Sequence, residues 1–296
     1  MRSNKEINFR EERDFSQNLN ATFGFIRQNF KKLFYCILYF VVPFALLAGI
    51  FNGIYQNRLK LAASGSLFYR PWGEYGFFRN VTSLNYIISL FFIFLSFILI
   101  SLTIYAYMVL YQDNRGRVEV KDVWEMIKSN FLITFYASFG ILLMCVLGFV
   151  VLLIPGIYLS IALSFFLIVM VREEVGFIEA IERSLYLIKD YWWSTFGLLL
   201  MVGLIQLMIS LVAYLPMLIL KIMTVFRLPL ANNGFLMVLV NTFTTVAGVL
   251  FYVITITAIA FQYFNLVEIK DGIGLIEQAE LIGRTPERAV ADDTEY

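Results

Sequence analysis

Long uninterrupted runs of apolar residues divide the chain. Six of them are read as helices that cross a bilayer: Phe34–Tyr55, Leu84–Tyr111, Phe131–Ile154, Gly156–Val171, Ser194–Leu220 and Phe235–Leu266. A hydrocarbon core about 30 Å thick takes roughly 20 helical residues, so the second and last runs must tilt or project beyond it, and the fourth is short. Pro155–Gly156 parts the third run from the fourth with no charge nearby. Proline cannot continue the helical hydrogen bonding and glycine accepts the turn, which predicts a tight hairpin near the far membrane surface. A single kinked span is the alternative, but about forty apolar residues are too many for one crossing. The fold class that follows is all-α, a polytopic membrane protein of six transmembrane helices arranged as three hairpins.

In front of the first, third and fifth runs the pattern turns periodic. Phe15, Leu19, Phe23, Ile26, Phe30 and Leu33 recur at steps of three and four, which is one face of a helix, with Asn18, Asn20, Arg27, Gln28, Lys31 and Lys32 mostly on the other. Asp14 followed by Gln17 has the form of a capping box. Val120, Val123, Trp124, Ile127 and Phe131 repeat the pattern. So do Phe177, Ile181, Leu185, Ile188 and Trp192, where Glu179 and Arg183 are paired at i, i+4. Each stretch is expected to lie as an amphipathic helix in the cytoplasmic interface, apolar side down, and to become a span at its aromatic end.

The hexamers FIRQNF (25–30), MIKSNF (126–131) and LIKDYW (187–192) mark equivalent places in these stretches. Arg27, Lys128 and Lys189 are the candidate interface cations, facing lipid phosphates at on the order of 1 kcal/mol each near an anionic surface. A unit of interfacial helix, span out and span back then occurs over about residues 14–113, 118–172 and 174–267. Together these form one membrane domain (14–267) between a cytoplasmic N-terminus (1–13) and a polar cytoplasmic tail (268–296). Shared ancestry and shared interface physics both explain the likeness of the units.

Composition sharpens the class. The chain is 60% hydrophobic and 15% charged, far more apolar than a soluble domain. Net charge is +1, which gives no reason to expect nucleic acid as a partner. Lys and Arg set the orientation: with the N-terminus inside, the inner segments hold seventeen and the outer ones six, so both termini are expected in the cytoplasm. The charged N-terminus does not read as a cleavable signal peptide. The external segment 56–83 carries Tyr69, Trp72, Tyr75, Phe77 and Phe78, which suit the headgroup belt. The tail stretch GLIEQAELIG is expected as a short helix, and the last dozen residues as disordered.

Candidate chemistry is sparse. There is no histidine, which removes the commonest general base and metal ligand. Cys36 and Cys145 lie apart in apolar runs and read as small hydrophobes, so no disulfide, metal site or other cofactor is expected. The spans contain no Asp, Glu, Lys or Arg, which weakens an ion-coupled transporter and an intramembrane hydrolase alike. Their polar residues are most concentrated at Asn241, Thr242, Thr244 and Thr245, readable as interhelical hydrogen bonding or as the lining of a small cavity. Glu173 and Arg183 are read as an ion pair fixing the third interfacial helix, or as a site for a headgroup or cytoplasmic partner. Gly140, Gly148, Gly203 and Gly248 could allow close helix contact but are too scattered to name a face.

One segment is more specific. Pro155, Gly156, Tyr158, Leu159, Glu173, Gly176, Ala180, Arg183, Ser184, Trp193, Phe196 and Gly197 follow one another with fixed spacing. Over Pro155–Gly197 the chain resembles the membrane domain attached to some bacterial glycerophosphodiester phosphodiesterases and its stand-alone relatives of unknown function. The tail YFNLVEIKDGIGLIEQAELIG resembles the end of stand-alone members, which implies the inner membrane of a Gram-negative bacterium. The resemblance implies no catalytic residues, because that family's chemistry belongs to a separate soluble domain with histidines. The expectation is a non-enzymatic membrane protein, a scaffold or accessory subunit with membrane lipids and a membrane-protein partner. A transporter or channel for a lipid or small amphiphile is the alternative, and an enzyme acting on lipid at the interface is a third reading.

Overall fold

The computed structural model describes residues 7–65, 82–114, 116–226, 228 and 233–282. Every regular element among them is a helix: α1 Phe15–Phe40, α2 Val42–Gly65, α3 Leu84–Asp113, α4 Val120–Val151, α5 Leu153–Ala162, α6 Phe166–Glu173, α7 Phe177–Ile188, α8 Trp192–Val225, α9 Gly234–Asp271 and α10 Ile273–Ile282. Five stretches are long and apolar enough to cross a membrane: α3, α4, α5 with α6, α8 and α9. The bent pair α1–α2, counted as one span, makes a sixth. The chain is an all-α, multi-pass membrane protein.

Two helices form its centre. From Ile98 to Val109 every side chain of α3 is buried, and from Ala260 to Glu268 the same holds for α9. A helix that is buried all round must be surrounded by others, and α1, α2, α4 and α6 close around α3. By contrast α4 and α8 bury a narrow stripe and leave broad apolar faces outward. On α8, Leu198, Val202 and Gln206 point in, while Leu207, Met208, Leu211 and Val212 are exposed.

α2 and α9 meet backbone to backbone. A Cβ added to Gly49 would sit 2.6 Å from the Cα of Thr242, and one added to Gly53 would sit 2.7 Å from the Cα of Val238. One helical turn further, Asn57 meets Gly234. The rising numbers on α2 against the falling numbers on α9 make the pair antiparallel, with backbones touching along a small-xxx-small face. The α8–α9 contact is zipped by side chains instead: Gln262 Nε2 donates to Thr195 Oγ1 at 3.2 Å, Thr255 bonds Gln206, and Asn241 Nδ2 reaches Met217 Sδ at 3.9 Å.

The junctions between amphipathic stretch and span differ from one another. α1 runs past Phe34 to Phe40 and bends by 54° into α2. Pro43 lies in the first turn of α2, where its missing N–H breaks the ladder, so the bend falls inside the expected first span. The stretch before the third span has no junction: α4 is one helix of 32 residues. Its candidate breakers are satisfied internally, with Asn130 Nδ2 donating to Met126 O and Thr134 Oγ1 to Asn130 O. At about 48 Å, this helix exceeds the hydrocarbon core by several turns. α7 alone is a separate amphipathic helix, divided from α8 at Asp190, whose φ is +74°.

Three further expectations are corrected. The hairpin turns at Leu152, which is extended, and not at Pro155–Gly156. Pro155 sits in the first turn of α5, where a helix needs no N–H, and Gly156 packs against Phe149 of α4. The fourth span is itself two helices, broken at 163–165. Asn18, assigned to the polar outer face of α1, is buried and donates to Gln262 Oε1 at 2.6 Å. Phe15, Phe23 and Phe30 of the opposite face are exposed, as is required of a face turned to lipid.

Residues 8–14, 112–114, 116–118, 172–191 and 265–275 gather at one end of the bundle, the proximal face; α2 ends and α9 begins at the distal one. Phe9 anchors the first of these segments, stacking on Phe261 at 5.2 Å and meeting Phe25 and Phe264 edge-on. The backbone N–H of Arg13 donates to Asn265 Oδ1 at 2.7 Å, tying both ends of the described chain to the proximal face. The aromatic residues of the expected headgroup belt (69–78) and the last residues of the tail (283–296) lie outside the described residues.

Candidate functional site

The α1–α2 bend carries α1 away from the line of α2 and opens a groove of about 980 Å³ against α4. Tyr39, Phe40 and Phe44 line one wall, Leu95 and Leu99 of α3 the floor, and Trp124, Ile127, Phe131 and Leu132 of α4 the other wall. Trp124 stacks on Phe40 with centroids 5.2 Å apart, closing the wall at the proximal end. Lys121 and Lys128 are the charged residues of the lining. Both stand on the α4 face that carries Trp124, and both are exposed. Such a volume is of the size that holds a small organic ligand or a lipid tail.

The second feature is ionic. Arg183 of α7 donates through Nε to both oxygens of Glu173, at 3.0 and 3.1 Å, and through Nη2 to Asp271 of α9. The Tyr263 hydroxyl donates to Glu173 at 2.8 Å. Alongside, Arg172 grips both oxygens of Asp113 at 2.8 Å, and the Glu268 carboxylate caps α10 by accepting from the N–H of Gly274 and Leu275. Burial lowers the pKa of Arg183, but its hydrogen bonds to Asp271 and Glu173 outweigh that and hold it above the ordinary value. Burial also lowers Arg13 from its ordinary value, against the pull of Glu11. The small cavity among these groups, about 160 Å³, is large enough for water, and Gln112 Oε1 on its lining lacks a hydrogen-bond partner among the described residues. Glu173, Asp271 and Asp113 are paired with guanidiniums and Glu268 with the start of α10, so the cluster ties α3, α6, α7, α9 and α10 into one joint.

Glu173 and Arg183 are therefore in contact, while Glu179, expected to pair with Arg183, instead accepts from the Gly176 N–H at 3.1 Å and caps α7. The helix start competes for the carboxylate and wins. Arg27, Lys128 and Lys189 are exposed and separate from one another, and of the three only Lys128 lines the groove. The polar cluster of α9 does not line either cavity. Asn241 Nδ2, Thr242 Oγ1 and Thr244 Oγ1 each bond the carbonyl four residues back in their own helix, and Thr242 is also where the α2 backbone arrives. Gly140 meets the Phe177 ring and Gly148 meets Gly156, whereas nothing among the described residues approaches Gly203 or Gly248 within 4 Å.

Sequence reasoning missed the groove, Asp271 and the Gly49–Gly53 face. The last had a visible signal, two glycines four apart inside an apolar run. Asp271 had none, since its partner lies 88 positions away. Of the residues carrying the family resemblance, Tyr158 stacks near Trp192 at 5.8 Å, Ser184 Oγ donates to Ala162 O at 2.8 Å, and Glu173 binds Arg183, so several meet at the α5–α7–α8 corner. Comparisons with protein-family models, curated proteins and solved structures return no match.

Proposed function

We propose that the chain is a non-enzymatic membrane protein that organises lipid and partner helices at the cytoplasmic leaflet, as a scaffold or accessory subunit. The observation that carries this reading is the contrast between centre and rim. The centre is packed until the backbones of α2 and α9 touch, while α4 and α8 hold out apolar faces and a sideways groove. A transporter is the alternative reading. It needs a path between the two membrane surfaces, and the groove runs from the proximal end only as far as Leu95 and Leu132. The ionic joint supports a structural use of Glu173 and Arg183 over a catalytic one, because each is paired with groups of the chain itself.

The excess of Lys and Arg in the proximal segments supports a cytoplasmic location for that face. The resemblance over Pro155–Gly197 supports kinship with stand-alone relatives of the phosphodiesterase-associated membrane domain, and with it a bacterial inner membrane. Photo-crosslinking from Leu207 and Leu211 of α8 in native membranes, followed by mass spectrometry of captured protein and lipid, tests the reading. A reproducible protein adduct at these positions, absent when the crosslinker sits at the buried Val202, is expected. Adducts to lipid alone, with the protein a monomer in mild detergent, would overturn the scaffold role.

A further inference from the structure

We propose that the groove beside α4 holds an acyl chain of an anionic phospholipid, with the phosphate held between Lys121 and Lys128. The inference rests on the lipid-organising reading above and names the lipid class. Depth is the first argument. From Lys121 to Leu132 the helix rises about 17 Å, close to half of a 30 Å hydrocarbon core, so the groove spans one leaflet.

Charge is the second. Lys121 and Lys128 are two turns apart on one face, about 10 Å along the axis, and their long stems let both ammonium groups reach the level of a headgroup. Lys121 pairs with Glu125 at 3.8 Å with both groups exposed, a contact worth little, and Lys128 makes no ion pair among the described residues. Two cations over an apolar slot complement a phosphate joined to a hydrocarbon tail. Trp124, between them in sequence, adds the ring that favours the interface. A partner helix complements the groove less well, because an apolar helix face would leave Lys121 and Lys128 of the lining without a counter-charge.

The test uses the full chain reconstituted in vesicles, with Trp72→Phe, Trp192→Phe and Trp193→Phe leaving Trp124 as the fluorophore. Phosphatidylglycerol or phosphatidylcholine brominated on the acyl chain is titrated in over the same range of mole fractions. Phosphatidylglycerol is expected to quench Trp124 at roughly thirtyfold lower mole fraction, the scale set by two lysines near one anionic headgroup. Lys121→Gln with Lys128→Gln is expected to erase the difference. Equal quenching by both lipids would mean bulk lipid only and would overturn the inference, as would an unquenched Trp124, which means that protein fills the groove. Mass spectrometry of lipid retained by the unmutated chain and by the double-glutamine variant gives a second reading that does not depend on the tryptophan changes. Loss of lipid preference with the α8 crosslinks intact would sink this inference alone, and the converse would sink the scaffold role alone.

Discussion

Gly49 and Gly203 are both glycines in the middle of a helix, and the same substitution acts on them in opposite directions. At Gly49 a methyl group would meet the Thr242 backbone at 2.6 Å, which no rotamer change relieves. Gly49→Ala is expected to lose about 1–3 kcal/mol by overpacking. At Gly203 nothing lies within 4 Å, and Gly203→Ala is expected to gain up to about 1 kcal/mol from helix propensity. Thermal unfolding of the two variants in one detergent compares them directly. Arg183 gives a second prediction at this scale. Arg183→Gln leaves Glu173 and Asp271 facing each other, each about a quarter exposed. Partial hydration reduces the cost from that of a fully buried pair to about 2 kcal/mol. The same melt reads it, and the loss is expected to shrink as salt screens the two carboxylates. Single residues were legible in the sequence where their partners are local. Asp14 and Gln17 do exchange both bonds of a capping box, at 2.7 and 3.0 Å. Where the partner arrives from another element, as Thr242 does at Gly49, spacing alone shows that a helix can approach and not which one does.

The bend between α1 and α2 is the element on which the groove depends, and its cause is covalent. Pro43 donates no hydrogen bond to the preceding turn, and the helix yields there by 54°. Pro43→Ala restores that donor. The expected outcome is a straighter α1–α2 and a narrower groove, seen as a changed distance between spin labels at Gln17 and Gln56 and as weaker lipid quenching of Trp124. An unchanged distance would assign the bend to the packing of Phe25, Leu33 and Cys36 and not to the proline. Helix existence and apolar faces were readable at this scale because periodicity is a property of the element itself. Junctions were not, for physical reasons that differ in each case. Pro43 acted inside an apolar run where hydropathy does not change. In α4, Asn130 and Thr134 turned their side chains back onto their own helix, so a stretch that looked like a boundary continued. Phe9 lies in a segment that looked merely polar, and its burial is decided by the aromatic residues of α1, α3 and α9 that receive it.

At the scale of the molecule the deciding quantity is the number of crossings. Hydropathy marks the runs but treats them alike, so it could not tell that α3 and α9 are central and α4 and α8 peripheral. That ranking comes from contact, and it leaves the parity of crossings resting on α1–α2. If that bent pair crosses once, the total is six and the two ends of the chain share a side. The bond from Arg13 to Asn265 requires the same arrangement, because it joins the start of α1 to the end of α9. Charge supports the side proposed above: the proximal segments hold the excess of Lys and Arg, and cations near span ends favour the cytoplasmic side. Fusions of a fluorescent reporter that matures only in the cytoplasm are expected to shine at either terminus and after Asn114. A phosphatase that is active only outside is expected to work when inserted at 228–233. Activity of the phosphatase at one terminus and fluorescence at the other would mean an odd number of crossings. It would remove α1–α2 as a span and leave its groove outside the leaflet that Lys121 and Lys128 are placed to meet.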